Sequence, residues 1–227
     1  MTRKINNSYT LGQSNAPTTG GDMLKTRNDG TLVWEGVDDS AFGGDWSGER
    51  GVLGGGSGGA GSESEQTIEY ITIASTGNST DFGNLATSGA YKASCSNGSR
   101  GIWAGKESSG ESNAIDYVTI STPGDATDFG DLTRAVKRAG AASDGIKGVF
   151  AGGVASSTKQ NTIDYIAIAT TGNATDFGDL SAAREGPAGV SNGTRGIYGG
   201  GDEGSKVNTI EYITFVTTGN TTDFGNM

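Results

Sequence analysis

The sequence contains no histidine and a single cysteine, Cys95, among its 227 residues. Without histidine the chain has no Ser-His-Asp triad, no Cys-His dyad and no imidazole general base. One thiol and no imidazole are too few ligands for a structural zinc site of the usual kind, and a lone cysteine cannot form a disulfide within the chain. These absences exclude much of hydrolytic and metalloenzyme chemistry, and we predict no cofactor.

Basic residues and long apolar runs are also scarce. The 16 lysines and arginines are outnumbered by 26 aspartates and glutamates, which gives a formal net charge of −10. This balance argues against a nucleic-acid partner, because binding to phosphates depends on basic side chains. No apolar run reaches about 18 residues, the length that crosses a membrane as a helix, and no apolar stretch follows the N-terminal basic residues as in a secretory signal. We therefore expect neither nucleic-acid binding nor membrane insertion.

Glycine, in contrast, is abundant, at 41 of 227 residues, which is about 18% where about 7% is usual. Much of this glycine belongs to an internal repeat. A β-branched segment with a central tyrosine occurs four times, with spacings of 47, 48 and 47 residues, at Tyr70, Tyr117, Tyr165 and Tyr212. Eleven residues after each tyrosine begins an Asp-Phe-Gly, whose aromatic residues are Phe82, Phe129, Phe177 and Phe224.

A third repeated element, a basic residue followed by glycine and apolar residues, lies upstream of each tyrosine. It begins at Arg50, Arg100, Lys147 and Arg195. The three elements divide residues 50–227 into four units, at roughly 50–97, 98–144, 145–192 and 193–227. Periods of this length are typical of propellers and other repeat architectures.

Each unit predicts short β-strands. The segment 68–73 is rich in β-branched and aromatic residues and lacks a helical period. Alternation places Ile68 and Tyr70 on one face and Ile71 and Ile73 on the other. Because both faces are apolar, we expect this strand to be covered on both sides. Asn-Gly or Asp-Gly pairs before the basic elements, as at 97–98 and 144–145, predict hairpin turns.

The strand inventory of one unit matches a propeller blade. The Tyr segment, the Asp-Phe-Gly segment, a small strand such as 140–143 and the basic strand make four strands in roughly 47 residues. Glycine would serve the turns and allow adjacent blades to approach closely. We expect no unit to be stable alone, because each buries its faces only against its neighbours.

The order of these elements resembles the kelch repeat, whose period is similar. Arg138 and Arg184 match the loop arginine of that repeat, and the matching pairs of small residues are Ala104-Gly105, Gly152-Gly153 and Gly199-Gly200. The chain departs from the kelch pattern by having phenylalanine, in the Asp-Phe-Gly segments, where that repeat has tryptophan. The resemblance implies an all-β, kelch-like β-propeller of four blade-like repeats. Four units could close alone, remain an arc or complete a ring with another chain.

Residues 1–49 differ from the repeats and predict an extended arm with a β-hairpin. Two strands flank an Asn-Asp-Gly turn within residues 21–34. The pattern there, Gly-x-x-Leu-x-x-x-x-x-Gly-Thr-x-x-Trp, resembles a short element of phage tail-fibre proteins. The repeats, with Thr-Ile-Asp-Tyr, Thr-Gly-Asn-Ala-Thr and Asp-Phe-Gly, resemble those of structural proteins of marine tailed phages of the cyanophage type.

These resemblances imply a non-enzymatic structural protein on the surface of a phage particle. The N-terminal segment would bind other virion proteins, the chain would form a homo-oligomer, and a tail-fibre or appendage propeller would bind a host-surface glycan or protein. Loops that vary between units are where we expect recognition, and their charged residues are Lys106, Glu107, Asp202, Glu203 and Lys206. The alternative is a capsid head-decoration or head-fibre protein.

An enzyme is the third hypothesis, a propeller lyase or glycosidase acting on surface polysaccharide. It would need paired carboxylates, for which the sequence offers Glu69, Asp116, Asp164 and Glu211. Because these acids recur in every unit, they suit a structural role better than one active site, and we assign no catalytic residue.

Two further repeated positions suggest ligands. Asn or Asp residues three positions before and after the Asp-Phe-Gly aspartates make a calcium site conceivable, with candidates Asp81, Asp128, Asp176 and Asp223. We favour the alternative that these side chains accept backbone N–H bonds in turns. Trp103, Phe150 and Tyr198 share one repeat position and could stack on sugars, but a place between blades suits their strand context better.

Overall fold

The computed structural model describes residues 22–26, 32–36, 49–57, 64–107 and 110–227. Within these ranges the strands pair antiparallel and no helix occurs, so the prediction of an all-β protein is confirmed. It follows that none of the described residues belongs to a helix capable of crossing a membrane. The chain divides into two compact units, Met1–Phe42 and Gly43–Met227.

The first unit contains two strands, β1 (Asp22–Thr26) and β2 (Leu32–Gly36). They pair antiparallel, with Leu24 opposite Trp34 and Thr26 opposite Leu32. Both strands fall where the sequence predicts the arms of a hairpin. The turn between them lies outside the described residues, as do residues 1–21.

The second unit is a succession of antiparallel sheets whose strands pair in the order in which they occur in the chain. The first sheet contains β3 (Arg50–Ser57), β4 (Ser64–Thr72) and β5 (Thr80–Asn84). The second contains β6 (Ala93–Ser96), β7 (Arg100–Glu107), β8 (Glu111–Thr119) and β9 (Thr127–Val136).

The third and fourth sheets repeat this order. The third contains β10 (Gly140–Ser143), β11 (Lys147–Ala151), β14 (Thr162–Ala167) and β15 (Thr175–Asp179). A small hairpin lies between β11 and β14 in the chain, formed by β12 (Val154–Ala155) and β13 (Thr158–Lys159). The fourth sheet contains β16 (Ala188–Ser191), β17 (Arg195–Gly199), β18 (Thr209–Thr214) and β19 (Thr222–Asn226).

The sheets are out of phase with the units of the sequence. The small strand that opens each four-stranded sheet, β6, β10 or β16, comes from the end of the preceding unit. The predicted turn at 97–98 joins β6 to β7, with Gly98 at φ 83°. The Asn97 side chain accepts hydrogen bonds from the backbone N–H groups of Ser99 and Arg100, which closes this turn.

Strand alternation lets each inner sheet bury both of its faces. In the second sheet, Ile102 and Ile115 contribute to the core shared with the third sheet, whereas Trp103 and Val118 contribute to the core shared with the first. The core between the third and fourth sheets repeats these positions with Ala142, Val149, Ala151, Ile163, Phe177, Leu180, Tyr198, Ile213 and Phe215. Burial of these apolar faces against successive neighbours is the main force that joins the sheets.

The outermost sheets are the exception to this double burial. In the first sheet Ile68 is fully buried, but Ile71 is 38% and Ile73 64% exposed. The prediction that the strand at 68–73 is covered on both sides is therefore wrong for this sheet, because no other sheet among the described residues of the second unit packs on its second face. At the opposite end Phe224 is 52% exposed, whereas Phe82, Phe129 and Phe177 are buried.

Adjacent sheets approach each other closely at the small opening strands and at the strands beside them. A Cβ added to Gly148 would lie 2.6 Å from the sulfur of Cys95 in the second sheet. The Ser143 hydroxyl donates to the Ser96 carbonyl across the same interface, at 2.9 Å. Glycine, alanine and serine at these positions permit a backbone separation that larger side chains would prevent.

The thiol of Cys95 should report on this interface. Burial raises its pKa to about 12, and only the thiolate reacts with disulfide or maleimide reagents. Because the Cys95 side chain is only partly buried, we expect labelling of the native protein at mildly alkaline pH to be much slower than labelling after denaturation. A Ser121→Cys variant in a Cys95→Ala background, with an exposed thiol, is the matched control. Rapid labelling of Cys95 in the native protein would contradict the close packing of the second and third sheets.

Candidate functional site

The variable loops lie beside the connections that join one sheet to the next. Backbone hydrogen bonds tie each connection to a loop of the following sheet, pairing Ala90 with Glu107, Lys137 with Val154, and Glu185 with Asp202. We call the loops after β7, β11 and β17, together with the connections 85–92, 132–139 and 180–187, the loop row. The turns that join β6 to β7 and β8 to β9 lie at the opposite ends of the strands.

Successive connections are also joined to each other along the loop row. The Arg138 N–H donates to the Tyr91 carbonyl at 3.0 Å, and the Gly186 N–H donates to the Arg138 carbonyl at 2.8 Å. All three residues adopt left-handed backbone angles, with φ of 58°, 58° and 63°. Glycine adopts this conformation freely, whereas tyrosine and arginine do so at a cost. The loop row is therefore a hydrogen-bonded series, not a set of independent loops.

The loop residues predicted from the second unit bind within the chain. The Lys106 ammonium donates to the Ser88 carbonyl at 3.1 Å. The Glu107 carboxylate forms an ion pair with Lys137, which also lies 3.6 Å from Glu111. These charges fix the loop after β7 against the connection to the third sheet.

The loop residues predicted from the fourth unit are engaged in the same way. Asp202 pairs with Lys159 of the small hairpin β12–β13 and with Lys206, at 3.1 Å. Hydrogen bonds from Lys159, from the Gly204 N–H and from Lys206 hold the pKa of the Asp202 carboxyl well below its ordinary value. Glu203 lies 3.2 Å from Arg184. The charged loop residues thus form a fixed polar surface in which most cations face an acid.

Sequence reasoning missed Tyr91, the large exposed aromatic residue of the loop row. Its side chain is 52% exposed, and the Arg138 guanidinium stacks over its ring at 4.4 Å from the centroid. Arg138 also pairs with Glu185 at 2.8 Å. The repeat signal did not reveal Tyr91, because tyrosine, arginine and glycine occupy this position in successive connections.

Three of the four repeated acids are buried and joined to the preceding sheet. Asp116 accepts hydrogen bonds from the Thr87 hydroxyl at 3.3 Å and from the Lys92 ammonium at 3.2 Å. Burial lowers the pKa of Lys92, although the carboxylate of Asp116 opposes that shift. Glu69, in the first sheet, is exposed and accepts a hydrogen bond from Ser79.

The other two buried acids have arginine partners. Asp164 accepts hydrogen bonds from the Thr133 hydroxyl at 2.7 Å and from Arg134 at 2.9 Å, and burial raises its pKa. Glu211 binds Arg184, which is fully buried. Burial alone would raise the pKa of Glu211, but hydrogen bonds from Ser181 and Thr221 and the charge of Arg184 bring it below its ordinary value.

The two loop arginines that the repeat singled out, Arg184 and Arg138, have different surroundings, because Arg184 binds a buried acid and Arg138 does not. The cation that binds the buried acid of the third sheet is Arg134, whereas Arg138 lies in the exposed part of the loop row. In the second sheet a lysine, Lys92, takes this role. The three acids therefore act as bridges between sheets, each held by one cation and by hydroxyl groups.

The calcium candidates Asp81, Asp128, Asp176 and Asp223 are exposed and belong to four different sheets. The oxygens near them bind the adjacent sheet: Asp125 accepts from the Asn84 N–H at 2.9 Å, and Asn173 accepts from the Asp131 N–H at 3.1 Å. The partners of these side-chain oxygens are therefore backbone N–H groups, but the N–H groups belong to the preceding sheet and not to the same turn. Across the described ranges no cluster of three or more acidic or thiol side chains could hold a metal ion.

The repeated aromatic residues pack within and between sheets. Each repeat tyrosine meets the repeat phenylalanine of its own sheet edge to face, with centroid separations from 5.8 to 6.1 Å, in the pairs Tyr70–Phe82, Tyr117–Phe129, Tyr165–Phe177 and Tyr212–Phe224. Trp103, Phe150 and Tyr198 are buried between sheets. They are therefore not a surface platform for sugars.

No protein-family model matches the sequence, and no curated protein gives a significant match to it.

Proposed function

We propose that the chain is a non-enzymatic structural protein of a tailed-phage particle, which presents a kelch-like propeller to the host surface. In this proposal the sheets are blades and the loop row is the recognition surface. The N-terminal segment, residues 1–49, attaches the propeller to other virion proteins.

The observation that carries the proposal is the construction of the loop row. Strand positions recur from sheet to sheet, whereas the loops after β7, β11 and β17 differ in length and in charge. Ion pairs and backbone hydrogen bonds hold the described residues of these loops in a fixed arrangement. A constant scaffold with variable, ordered loops is how repeat proteins present binding surfaces.

The buried acids support a structural role. Asp116, Asp164 and Glu211 are each bonded to a cation and a hydroxyl of the preceding connection. A glycosidase uses two carboxyl groups facing one substrate bond, whereas these three acids are distributed over three sheets.

The propeller itself is supported by the sheet series. Each four-stranded sheet opens with a strand of small residues that touches the opening strand of the next sheet, and each inner sheet is covered on both faces. This is the arrangement of strands and faces that successive propeller blades share.

Binding of the purified protein to marine bacterial cells and to a carbohydrate array tests the attachment role. We expect binding, and we expect Tyr91→Asn combined with Lys206→Ala to weaken it about tenfold or more, equivalent to about 1.4 kcal/mol. Asparagine tolerates the left-handed backbone at position 91, and the Lys206 side chain is largely exposed, so the fold should persist. Thr217→Ala, at the opposite ends of the strands, is the control. Binding to neither target, or binding insensitive to the double substitution, would contradict the proposal.

The location on the particle separates the two virion roles. Antibody labelling of intact particles should place the protein at the tail. Label distributed over the head would favour a decoration or head-fibre protein instead.

A further inference from the structure

The interface between successive sheets uses one set of contacts three times. The basic residue that begins the second strand of the repeat reaches a backbone carbonyl of the following sheet. Arg50 donates to the Ile120 carbonyl at 3.0 Å, Arg100 to Ile168 at 2.9 Å and Lys147 to Phe215 at 2.6 Å. The contact therefore has the same donor position and the same acceptor position at each interface.

The Asp-Phe-Gly strand makes a second repeated contact with the next sheet. The carbonyl of the residue that follows Asp-Phe-Gly accepts a backbone hydrogen bond from the turn of the following sheet, through the pairs Asn84–Ala126, Asp131–Ala174 and Asp179–Thr221. The same residue donates its own N–H to Asp125, Asn173 or Asn220 of that turn. Each pair of sheets is thus joined by a reciprocal strand-to-turn connection.

Glycine makes the strand-to-turn contact possible. A Cβ at Gly130 would lie 2.5 Å from the Gly172 carbonyl oxygen, and Gly83 and Gly178 are equally close to the turns that they meet. Gly225 occupies the same position in the fourth sheet, but a Cβ there would meet no atom within 4 Å.

The two outer faces therefore carry complementary halves of this interface. The fourth sheet presents the donor half, with Arg195, Phe224, Gly225 and Asn226 at the repeated positions. The first sheet presents the acceptor half, with the Ile73 carbonyl and the turn from Gly77 to Ser79. Apolar residues surround both halves: Leu53 is 58% exposed in the first sheet, and its counterparts Trp103, Phe150 and Tyr198 are buried in the others.

We propose that the fourth sheet of one copy of this chain binds the first sheet of a second copy, in the register of the internal interfaces. In that register Arg195 donates to the Ile73 carbonyl of the second copy, and Asn226 pairs with Ser79. A second copy is the occupant because the outer face of the fourth sheet carries the donor half of the interface and the outer face of the first sheet carries the acceptor half. Neither face is complementary to itself. Such heterologous contacts generate closed rings or open series. The inference does not rest on host binding, and its readout is assembly alone.

Disulfide trapping tests the register in the full chain. Ser79→Cys and Asn226→Cys are prepared as separate proteins, both in a Cys95→Ala background, and are mixed under mild oxidation at micromolar concentration. We expect a disulfide-linked heterodimer. The matched control is Asn84→Cys with Ala126→Cys in one chain, which places the same pair at an internal interface and should form an intramolecular disulfide.

Two results of this experiment would overturn the proposal. Disulfides between two Ser79→Cys chains would indicate a face-to-face dimer. An intramolecular disulfide in a chain that carries both Ser79→Cys and Asn226→Cys, with no linked oligomer, would show that one chain closes on itself.

Mass measurement in solution provides an independent test. The wild-type protein should have a mass at least twice the 22.9 kDa of one chain. Ile73→Asp should weaken the association at least about tenfold, because it places a charge in an interface that is apolar at the equivalent internal positions. Ile146→Asp, at an exposed turn of the third sheet, should leave the mass unchanged. A monomeric wild-type protein at micromolar concentration would contradict the proposal.

Discussion

Replacing Arg184 with methionine is expected to lower the free energy of unfolding by about 3–5 kcal/mol, because it leaves a buried carboxylate without its cation. Glu211 is 1% exposed, and Arg184 is fully buried between it and the Gly200 carbonyl. Methionine approximates the arginine stem, so the lost charge and not a cavity dominates the effect. Urea denaturation, followed by tryptophan fluorescence, measures the loss.

A second substitution separates charge from packing in this cluster. Glu211→Gln added to Arg184→Met should recover part of the lost stability, because the remaining side chain is neutral. Its amide oxygen accepts from one of the Ser181 and Thr221 hydroxyls, and its NH2 group donates to the other. Lys206→Met, at a largely exposed lysine that pairs with Asp202, is the matched control and should cost less than about 1 kcal/mol. If the Arg184→Met variant alone were as stable as this control, the buried pair would contribute little to stability.

The cost of Arg184→Met should also depend on pH in a defined direction. The folded protein holds the pKa of Glu211 below its ordinary value, so the cluster contributes stability above the unfolded pKa of about 4.3. That contribution is lost as the pH falls through the folded pKa. The difference between wild type and variant should therefore shrink on acidification. A difference that is constant or grows would mean that the lost stability has another source.

Gly189→Ala is expected to destabilise the protein by about 3 kcal/mol, the upper part of the usual range for overpacking. A Cβ at this position would overlap the Ala141 backbone of the third sheet, including its carbonyl oxygen. The neighbour is backbone and not a flexible side chain, so relief requires the two sheets to move apart. That movement would also loosen the Ser191 hydroxyl from the Ser143 carbonyl.

Gly124→Ala is the control for this substitution. Its added Cβ would meet no atom within 4 Å, and its backbone is not in the left-handed region. The two variants share the same change in chain entropy, so thermal denaturation of both isolates the effect of close packing. Equal stability of the two proteins would contradict the observed separation of β10 and β16.

Strand positions in this protein follow closely from local sequence. The segments around Tyr117 and Phe129 are strands because β-branched and aromatic residues alternate there, and the Asn-Gly and Asp-Gly turns close where that chemistry requires. The assignment of faces also follows from alternation. Alternation predicts that Ile71 and Ile73 share one apolar face of their strand. It does not predict that this face of the first sheet is left uncovered.

The partners of the buried acids could not be predicted from the repeat. Lys92, Arg134 and Arg184 occupy different offsets in the three connections, yet each reaches the acid of the following sheet. A long, flexible cationic side chain can reach the same buried acid from different backbone positions, because only the position of its charged group is constrained. The exposed Tyr91 lies in the same connections and was missed for the same reason.

The phase difference between sheets and sequence units has a consequence for how such a chain can change its length. Each four-stranded sheet takes its opening strand from the end of one unit and its remaining strands from the next. A genetic recombination event that inserts or removes one repeat length therefore conserves complete sheets wherever the breakpoint falls. Whatever part of a sheet is lost on one side of the breakpoint is supplied on the other, so descendants with more or fewer sheets are reachable in a single step.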